Sequence, residues 1–302
     1  MTIHIEPSRE QIEKWIEEYV PNKDLYFLKE QDLHTFGSYL NHILVIPKDE
    51  FFQHESYNQI QIANSYEYWN ISTEAKYIIV ATSNWFKNLD INKQQQLSRI
   101  QVEMGRGLII PLSSSSNKFS FQEENVVEEN DIKYLVLQYE MWSKLPFELK
   151  ELLIKEYALQ WDNWSCNEIP VNTPVHLKKY ANTFPIDSGS NCLSSTLFAI
   201  TEQEWIIYEW VHPQTFLQGL KNAQYYVADT DELKVGDVVT WENSDGIVQH
   251  ASYYIGDHLC FNKNGQTFFN PWKIVAWSEL KKEWKDHNIK IYRKKIQNRN
   301  HK

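Results

Sequence analysis

The sequence predicts an α+β protein with two domains, the second of which is a helix followed by an antiparallel sheet. The chain has 302 residues, 42% of them hydrophobic, which is enough for one large or two moderate packed domains. Residues 163–174 contain two prolines and no hydrophobic period, so we expect a domain boundary there. These patterns predict an N-terminal α/β or α+β domain at 1–165, a second domain at 166–296, and a basic tail at 297–302.

Apolar runs and periodic segments alternate through the first domain. A capping-box pattern from Ser8 to Gln11 begins a helix. Short apolar runs predict strands, and apolar residues at helical spacing predict two further helices. The predicted strands are 43–46, 77–81, 108–111 and 134–137, and the predicted helices are 93–104 and 146–161. Residues 113–130, rich in serine and glutamate, are expected to form a solvated loop or a regulatory or binding insert.

Cys192 is predicted to lie at the start of a helix. The segment before it is turn-forming, whereas residues 192–201 place Leu193, Leu197 and Ile200 at helical spacing. Ser190 or Asn191 can cap this helix. Unpaired backbone N–H groups and the helix dipole favour an anion in a first turn, so this position stabilises a thiolate.

His250 is predicted to lie on the second strand of a hairpin. Residues 236–241 and 247–255 read as strands, and Asp245 followed by Gly246 is a strong hairpin signal between them. Strand alternation predicts one face for His250, Ser252 and Tyr254, and the other face for the residues between them. The small Ser252 would leave room beside the imidazole.

A carboxamide on the next strand is expected opposite His250. A turn centred on Gly256 selects Asn262, and one centred on Asp257 selects Asn264. Either amide could hold the imidazole in the tautomer that accepts a thiol proton. Further elements, a helix at 212–220, a strand at 273–276, a helix at 278–284 and a strand at 290–292, would complete the sheet.

These residues, from Tyr180 to Arg293, resemble the NlpC-type papain-like cysteine peptidases. The resemblance rests on a cysteine opening a helix, on the strand start at 233–237, on the segment 250–257, and on a polar residue twelve positions after the histidine. It implies a papain-like fold in which a cysteine-bearing helix packs on an antiparallel sheet. The family's usual Asp-Cys-Ser-Gly is Asn-Cys-Leu-Ser here, so the resemblance implies nucleophile chemistry without the cell-wall peptide specificity.

The resemblance implies a thiol hydrolase, a peptidase or amidase that acts on peptides or small amides and esters without a cofactor. Cys192 would be the nucleophile, His250 the base and Asn262 the orienting residue. Tyr180 stands at the spacing of a family tyrosine that helps bind the oxyanion, and Trp272 is a candidate substrate contact. An acyltransferase that uses the same thioester and a noncatalytic peptide-binding or partner-binding member are the alternatives.

Other assignments of the reactive cysteine, and a zinc site, have less support from the sequence. A mid-strand Cys260 has no helix terminus to stabilise an anion, and Cys192 with His250 and His258 lacks the ligand spacing of a zinc site. The net charge of −10 argues against nucleic acid as a partner. No apolar run is long enough to span a bilayer, and three cysteines without a paired motif fit a reducing compartment, so we expect a cytoplasmic protein.

Overall fold

A computed structural model describes residues 1–82, 84–113, 115–116 and 119–295. The predicted basic tail at 297–302 lies outside the described residues. The chain divides into two compact units, an N-terminal unit of residues 12–157 and a C-terminal unit of residues 1–11 and 158–302. The boundary thus falls between Tyr157 and Ala158, a few residues before the predicted one. Among the described residues, no helix is long and apolar enough to cross a membrane.

The N-terminal unit contains two small antiparallel sheets. The first has the order β2-β4-β3, and the second has the order β5-β7-β6. The strands are β2 Asp24–Leu28, β3 Leu44–Pro47, β4 Tyr77–Ala81, β5 Ile109–Pro111, β6 Val126–Glu129 and β7 Ile132–Val136. The helices that begin or lie in this part of the chain are α1 Arg9–Glu18, α2 Glu30–Phe36, α3 Lys48–Gln53, α4 Ile60–Ser65, α5 Ile91–Glu103, α6 Tyr139–Lys144 and α7 Phe147–Trp161.

The expectation of a loop at 113–130 is wrong at its end, where β6 pairs with β7. The connection places Asn130 and Asp131 at φ values of 51° and 63°. Such left-handed turn residues match the twist of a two-residue hairpin, and Asn and Asp tolerate this conformation. The hydrophobic pattern did not predict β6 because two of its four residues are exposed glutamates.

The C-terminal unit is built on a six-stranded antiparallel sheet of order β13-β12-β11-β10-β14-β9. Its strands are β9 Tyr225–Val227, β10 Val238–Glu242, β11 Val248–Gly256, β12 Leu259–Lys263, β13 Trp272–Ala276 and β14 Asn288–Lys294. The helices are α8 Val175–Lys178, α9 Cys192–Thr201, α10 Pro213–Asn222 and α11 Trp277–Glu283. A separate pair joins β1 Thr2–His4 to β8 Ser165–Asn167, which explains why the first residues belong to this unit.

The central sheet is buried on both faces, and each face has its own apolar core. One core, here called the α9 face, joins residues of α9 to Ala251, Tyr253, Phe261 and Ile274. The other core, here called the α11 face, joins Leu280 of α11 to side chains of the intervening strand positions. Those positions are Val239, Trp241, Tyr254, Cys260 and Val275. The sheet is therefore the middle layer of the unit, and strand parity decides the face on which each side chain lies.

A buried ion pair joins β13 to the segment after α7. Lys273 Nζ lies 2.7 Å from Asp162 Oδ1 and donates to the carbonyl of Asn163 at 2.8 Å. Both charged side chains are almost fully buried. The pair therefore fixes this segment against the edge strand of the sheet.

Replacing Asp162 by Asn should lower the free energy of unfolding by about 3–5 kcal/mol, because the substitution leaves the Lys273 ammonium buried without its counter-charge. Urea titration followed by tryptophan fluorescence measures the loss. The double variant Asp162→Leu with Lys273→Met should be more stable than Asp162→Asn, since it removes both charges. An Asp162→Asn protein with an unchanged midpoint would contradict a buried, paired lysine.

Candidate active site

The start of α9 positions Cys192 as its first residue. Asn191 is the N-cap: its Oδ1 accepts the Ser194 N–H at 2.9 Å, while Ser194 Oγ accepts the Asn191 N–H at 3.0 Å. Asn191 Nδ2 also donates to the carbonyl of Val211 at 2.8 Å. Of the two predicted caps, Asn191 performs the role, and its second bond anchors the helix terminus to the segment before α10. The prediction of a helix that begins at Cys192 is confirmed.

The Cys192 thiol is buried at the start of α9. Burial raises the pKa of the Cys192 thiol to about 11, and hydrogen bonds from the backbone of Ala251, Leu193 and Cys192 itself act against this shift. The positive charge of Lys263 lowers the same pKa. The sulfur therefore lies in a buried site that is lined with donors for an anion, although the thiol is protonated at neutral pH.

Lys263 is the titratable partner that the sequence analysis missed. The side chain is fully buried on the α9 face, on the same side of β12 as Phe261. Burial lowers the pKa of Lys263 to about 7, against the charges of Asp162 and Cys192, which raise it. Nζ donates to the carbonyl of Thr267 at 3.1 Å. The signal was present in the sequence, because Lys263 continues the alternation of Leu259 and Phe261 toward a buried face.

The structure does not bring the predicted Cys192, His250 and Asn262 together. Cys192 packs in the core of the α9 face, together with Ala251 and Tyr253. His250 precedes Ala251 in β11 and points to the α11 face, where it contacts Trp241 and Trp284. No hydrogen bond joins Cys192 to His250 among the described residues. The prediction of this imidazole as the base for this thiol is wrong for a physical reason, since adjacent strand positions point to opposite faces of the sheet.

His250 lies in an aromatic and carboxamide environment. Its ring stacks on Trp284 with centroids 4.5 Å apart and planes at 11°. Nε2 lies 2.7 Å from Asn262 Oδ1, so Nε2 donates this hydrogen bond and the neutral tautomer is fixed. Burial lowers the pKa of His250 to about 4, against the hydrogen bond that His250 donates to Asn262, which raises it. The imidazole is neutral at physiological pH.

The expected contact between His250 and Asn262 is present, but through a different register. In the pairing of β11 with β12, Tyr253 lies opposite Phe261 and Tyr254 lies opposite Cys260. The same register, continued along the strands, places Asn262 opposite Ser252 and not opposite His250. The amide reaches the imidazole diagonally. Ser252 Oγ donates to the same Asn262 Oδ1. The hydroxyl and the imidazole thus share one acceptor, and neither is directed at Cys192.

Asn264, the alternative third residue, supports Asn262 rather than His250. Asn262 Nδ2 donates to Asn264 Oδ1 at 2.9 Å, and Asn264 Nδ2 lies 3.4 Å from Glu283 Oε1. The four side chains from Ser252 through Glu283 therefore form one chain of hydrogen bonds on the α11 face. This chain opens on a polar cavity of about 360 Å³ that Asn262, Asn264 and Glu283 help to line.

Tyr180 and Trp272 lie on the α9 face with Cys192, but their polar atoms are already bonded. The Tyr180 hydroxyl donates to Glu204 and lies 3.0 Å from the Tyr208 hydroxyl, and burial raises its pKa. Trp272 Nε1 donates to Ser195 Oγ at 2.9 Å, and the ring is buried against Tyr180. Both side chains therefore build the core below α9, and Trp272, the candidate substrate contact, is buried there.

Cys260 is buried on the α11 face, where burial raises the pKa of its thiol. The described residues include no group of three histidine, cysteine, aspartate or glutamate side chains that could hold a metal ion. Cys192 and Lys263 thus lie on the same face of the sheet, and a thiol and an amine with a pKa near 7 are groups that can act as nucleophile and base.

The depressed pKa of His250 predicts acid sensitivity. In the unfolded chain this histidine takes up a proton near its ordinary pKa of 6.5, whereas in the folded state it does so only near pH 4. Between these two pH values the unfolded state therefore binds more protons than the folded state. Stability is therefore fully present above pH 6.5 and is lost as the pH falls toward 4, by about 3 kcal/mol for this group. Urea titrations at pH 7.0, 5.5 and 4.5 measure the loss.

The matched control is His258, an exposed histidine in the turn between β11 and β12. His250→Asn should flatten the pH dependence relative to the parent protein, while His258→Asn should leave it unchanged. Equal pH dependence in the parent and in His250→Asn would contradict a buried neutral imidazole.

Comparisons with known proteins give no relative from which a role could be transferred. No family model, no curated protein and no solved structure matches this chain. The likeness of residues 180–293 to NlpC-type peptidases therefore stays a hypothesis that depends on the motif residues.

Proposed function

We propose that the protein is a thiol hydrolase, a peptidase or amidase, in which Cys192 is the nucleophile and Lys263 is the proton acceptor. The observation that supports this proposal is the position of Cys192 as the first residue of α9, on the same face of the sheet as a buried amine whose pKa burial lowers to about 7. A lysine with a near-neutral pKa exchanges protons at physiological pH, and perturbed groups of this kind are concentrated at active sites.

The reaction proceeds through a thioester. The neutral amine of Lys263 accepts the thiol proton as the sulfur of Cys192 attacks the carbonyl carbon of a peptide or a small amide or ester. The carbon–sulfur bond forms, and the bond to the leaving amine or alcohol breaks as Lys263 returns the proton to the leaving group. Water then cleaves the thioester and restores the thiol. Backbone N–H groups at the start of α9 stabilise the oxyanion.

The proposed function includes a papain-like arrangement of the C-terminal unit. α9 packs on the antiparallel strands β11 and β12, as a cysteine-bearing helix does in that fold. All three cysteines are free and buried, which suits a reducing compartment, so we place the protein in the cytoplasm.

A noncatalytic member that binds a peptide or a partner is the second candidate. The observation in its favour is the separation of His250 from Cys192 by the sheet, together with burial that raises the pKa of the thiol to about 11. In this case Cys192 would be an ordinary core thiol.

The proposal predicts that Cys192 reacts faster with iodoacetamide than Cys260, by about tenfold or more at pH 8, because backbone N–H groups and Lys263 act to lower the pKa of Cys192, whereas burial alone raises that of Cys260. Cys260 is the internal control in the same molecule. Mass spectrometry of the native protein quantifies each labelled peptide over time. Cys192 that labels no faster than Cys260 would leave the noncatalytic candidate.

Lys263→Met should slow the labelling of Cys192 and remove an inflection near pH 7 from the pH profile of p-nitrophenyl acetate hydrolysis, since the neutral amine is the proposed base. Cys192→Ala should abolish this hydrolysis. Lys282→Met, which removes an exposed lysine of α11, is the matched control. A profile that keeps its inflection in Lys263→Met would contradict the role of Lys263.

A further inference from the structure

A groove of about 610 Å³ lies on the surface of the C-terminal unit. It is formed by α10, by the segment 205–211 that precedes this helix, and by Leu197 of α9. Its volume is in the range of small-molecule sites. The groove therefore belongs to one unit and has the size of a binding site.

Two tryptophan side chains line this groove and are open to solvent. Trp205 is 64% exposed and Trp210 is 43% exposed. Tryptophan is highly buried on average, so two exposed indoles within six residues are unusual. Exposed apolar groups that are gathered at a groove and bordered by polar residues mark ligand sites.

The segment that carries the two indoles is anchored to the fold. Ile207, which lies between them in sequence, is fully buried in the core of the α9 face. The Glu209 N–H donates to the carbonyl of Ile206 at 3.1 Å. The ring of Trp210 stacks on His212, with centroids 5.6 Å apart and planes at 22°. The indoles are thus held on ordered backbone, as a preorganised site requires.

A row of carboxamides faces the indoles from α10. Gln214, Gln218 and Asn222 follow one another at intervals of four residues, and all three are exposed and line the groove. Gln218 Nε2 donates to Asn222 Oδ1 at 2.8 Å. A carboxamide both donates and accepts hydrogen bonds, as a sugar hydroxyl does. Four helical residues span about 6 Å, a length comparable to one sugar residue in an oligosaccharide.

The combination of indoles and amides distinguishes between classes of ligand. An apolar segment would cover the indoles and remove water from the amides without offering them a partner, which costs free energy. Glu209, the charged residue in the described lining, repels an anion. A quaternary ammonium fits indoles and a carboxylate, but it leaves the amide row without a role. A neutral sugar has apolar ring faces for the indoles and hydroxyls for the amides.

We propose that this groove binds a neutral oligosaccharide built of pyranose rings. The C–H faces of the rings pack on Trp205 and Trp210, and the carboxamides of α10 exchange hydrogen bonds with the hydroxyls. Sugar binding in this groove does not depend on the chemistry of Cys192.

Isothermal titration of the full chain with cellohexaose, maltohexaose and chitohexaose tests this assignment for three neutral linkage and substituent types. We expect at least one of them to bind with a Kd below about 1 mM. Tetramethylammonium chloride, which suits an aromatic site for cations, should not displace the bound sugar. Absence of binding by all three sugars, or displacement by tetramethylammonium, would overturn the proposal.

Trp205→Ala should weaken sugar binding at least about tenfold and leave the melting temperature unchanged, because the side chain is largely exposed. Trp69→Ala is the matched control, since it removes an indole that is 48% exposed in the N-terminal unit, and it should retain the affinity. Retained affinity in Trp205→Ala would place the sugar elsewhere and overturn the proposal.

Gln218→Leu separates a sugar site from an apolar contact surface. The variant should bind the sugar about tenfold more weakly, because it loses a donor and an acceptor while the groove becomes more apolar. Equal or tighter binding would mean an apolar contact only. Sedimentation velocity tests a second copy of the chain as the occupant, and dimerisation that Trp205→Ala abolishes would also overturn the proposal.

Discussion

The alternation of side chains along β11 and β12 is the constraint on which the C-terminal unit depends. Because both faces of the sheet are buried, every second side chain enters the α9 core and the others enter the α11 core. A shift of one residue would exchange the two sets and place Asn262 where Lys263 now lies. The same rule that gives the sheet its two cores therefore decides which titratable group lies on the same face as Cys192.

Burial determines the protonation state of each of these groups. It raises the pKa of Cys192 to about 11, lowers that of Lys263 to about 7 and lowers that of His250 to about 4. All three shifts favour the neutral form, as desolvation requires. Only Lys263 has a charge that changes close to neutral pH. Of these three groups it is therefore the one that can exchange a proton under physiological conditions, and the histidine acts instead as a fixed donor to Asn262.

Turn residues and hydrophobic periodicity predicted the helix and strands of the site well. They did not predict how the helix packs on the sheet. The cap at Asn191, the helix from Cys192 and the strands that carry His250 and Asn262 follow from turn residues and periodicity, which are local properties. The alternation of β11 was also foreseen. The face that α9 covers could not be read from the sequence, because both sets of β11 side chains are apolar enough to be buried. The residue spacing of the NlpC-type family predicted that His250 lies beside α9, whereas in the structure Ala251 lies there.

Some buried polar side chains of this protein bond to one another, and others have an atom without a protein partner. On the α11 face, His250, Ser252, Asn262 and Asn264 bond to one another, so their burial costs little. In the N-terminal unit, Asn125 and Gln138 have no such partners, and each buried unbonded amide costs about 1–3 kcal/mol. Two of them remove a sizeable part of the roughly 5–15 kcal/mol by which a domain is stable. Apolar residues of the same size would avoid that cost.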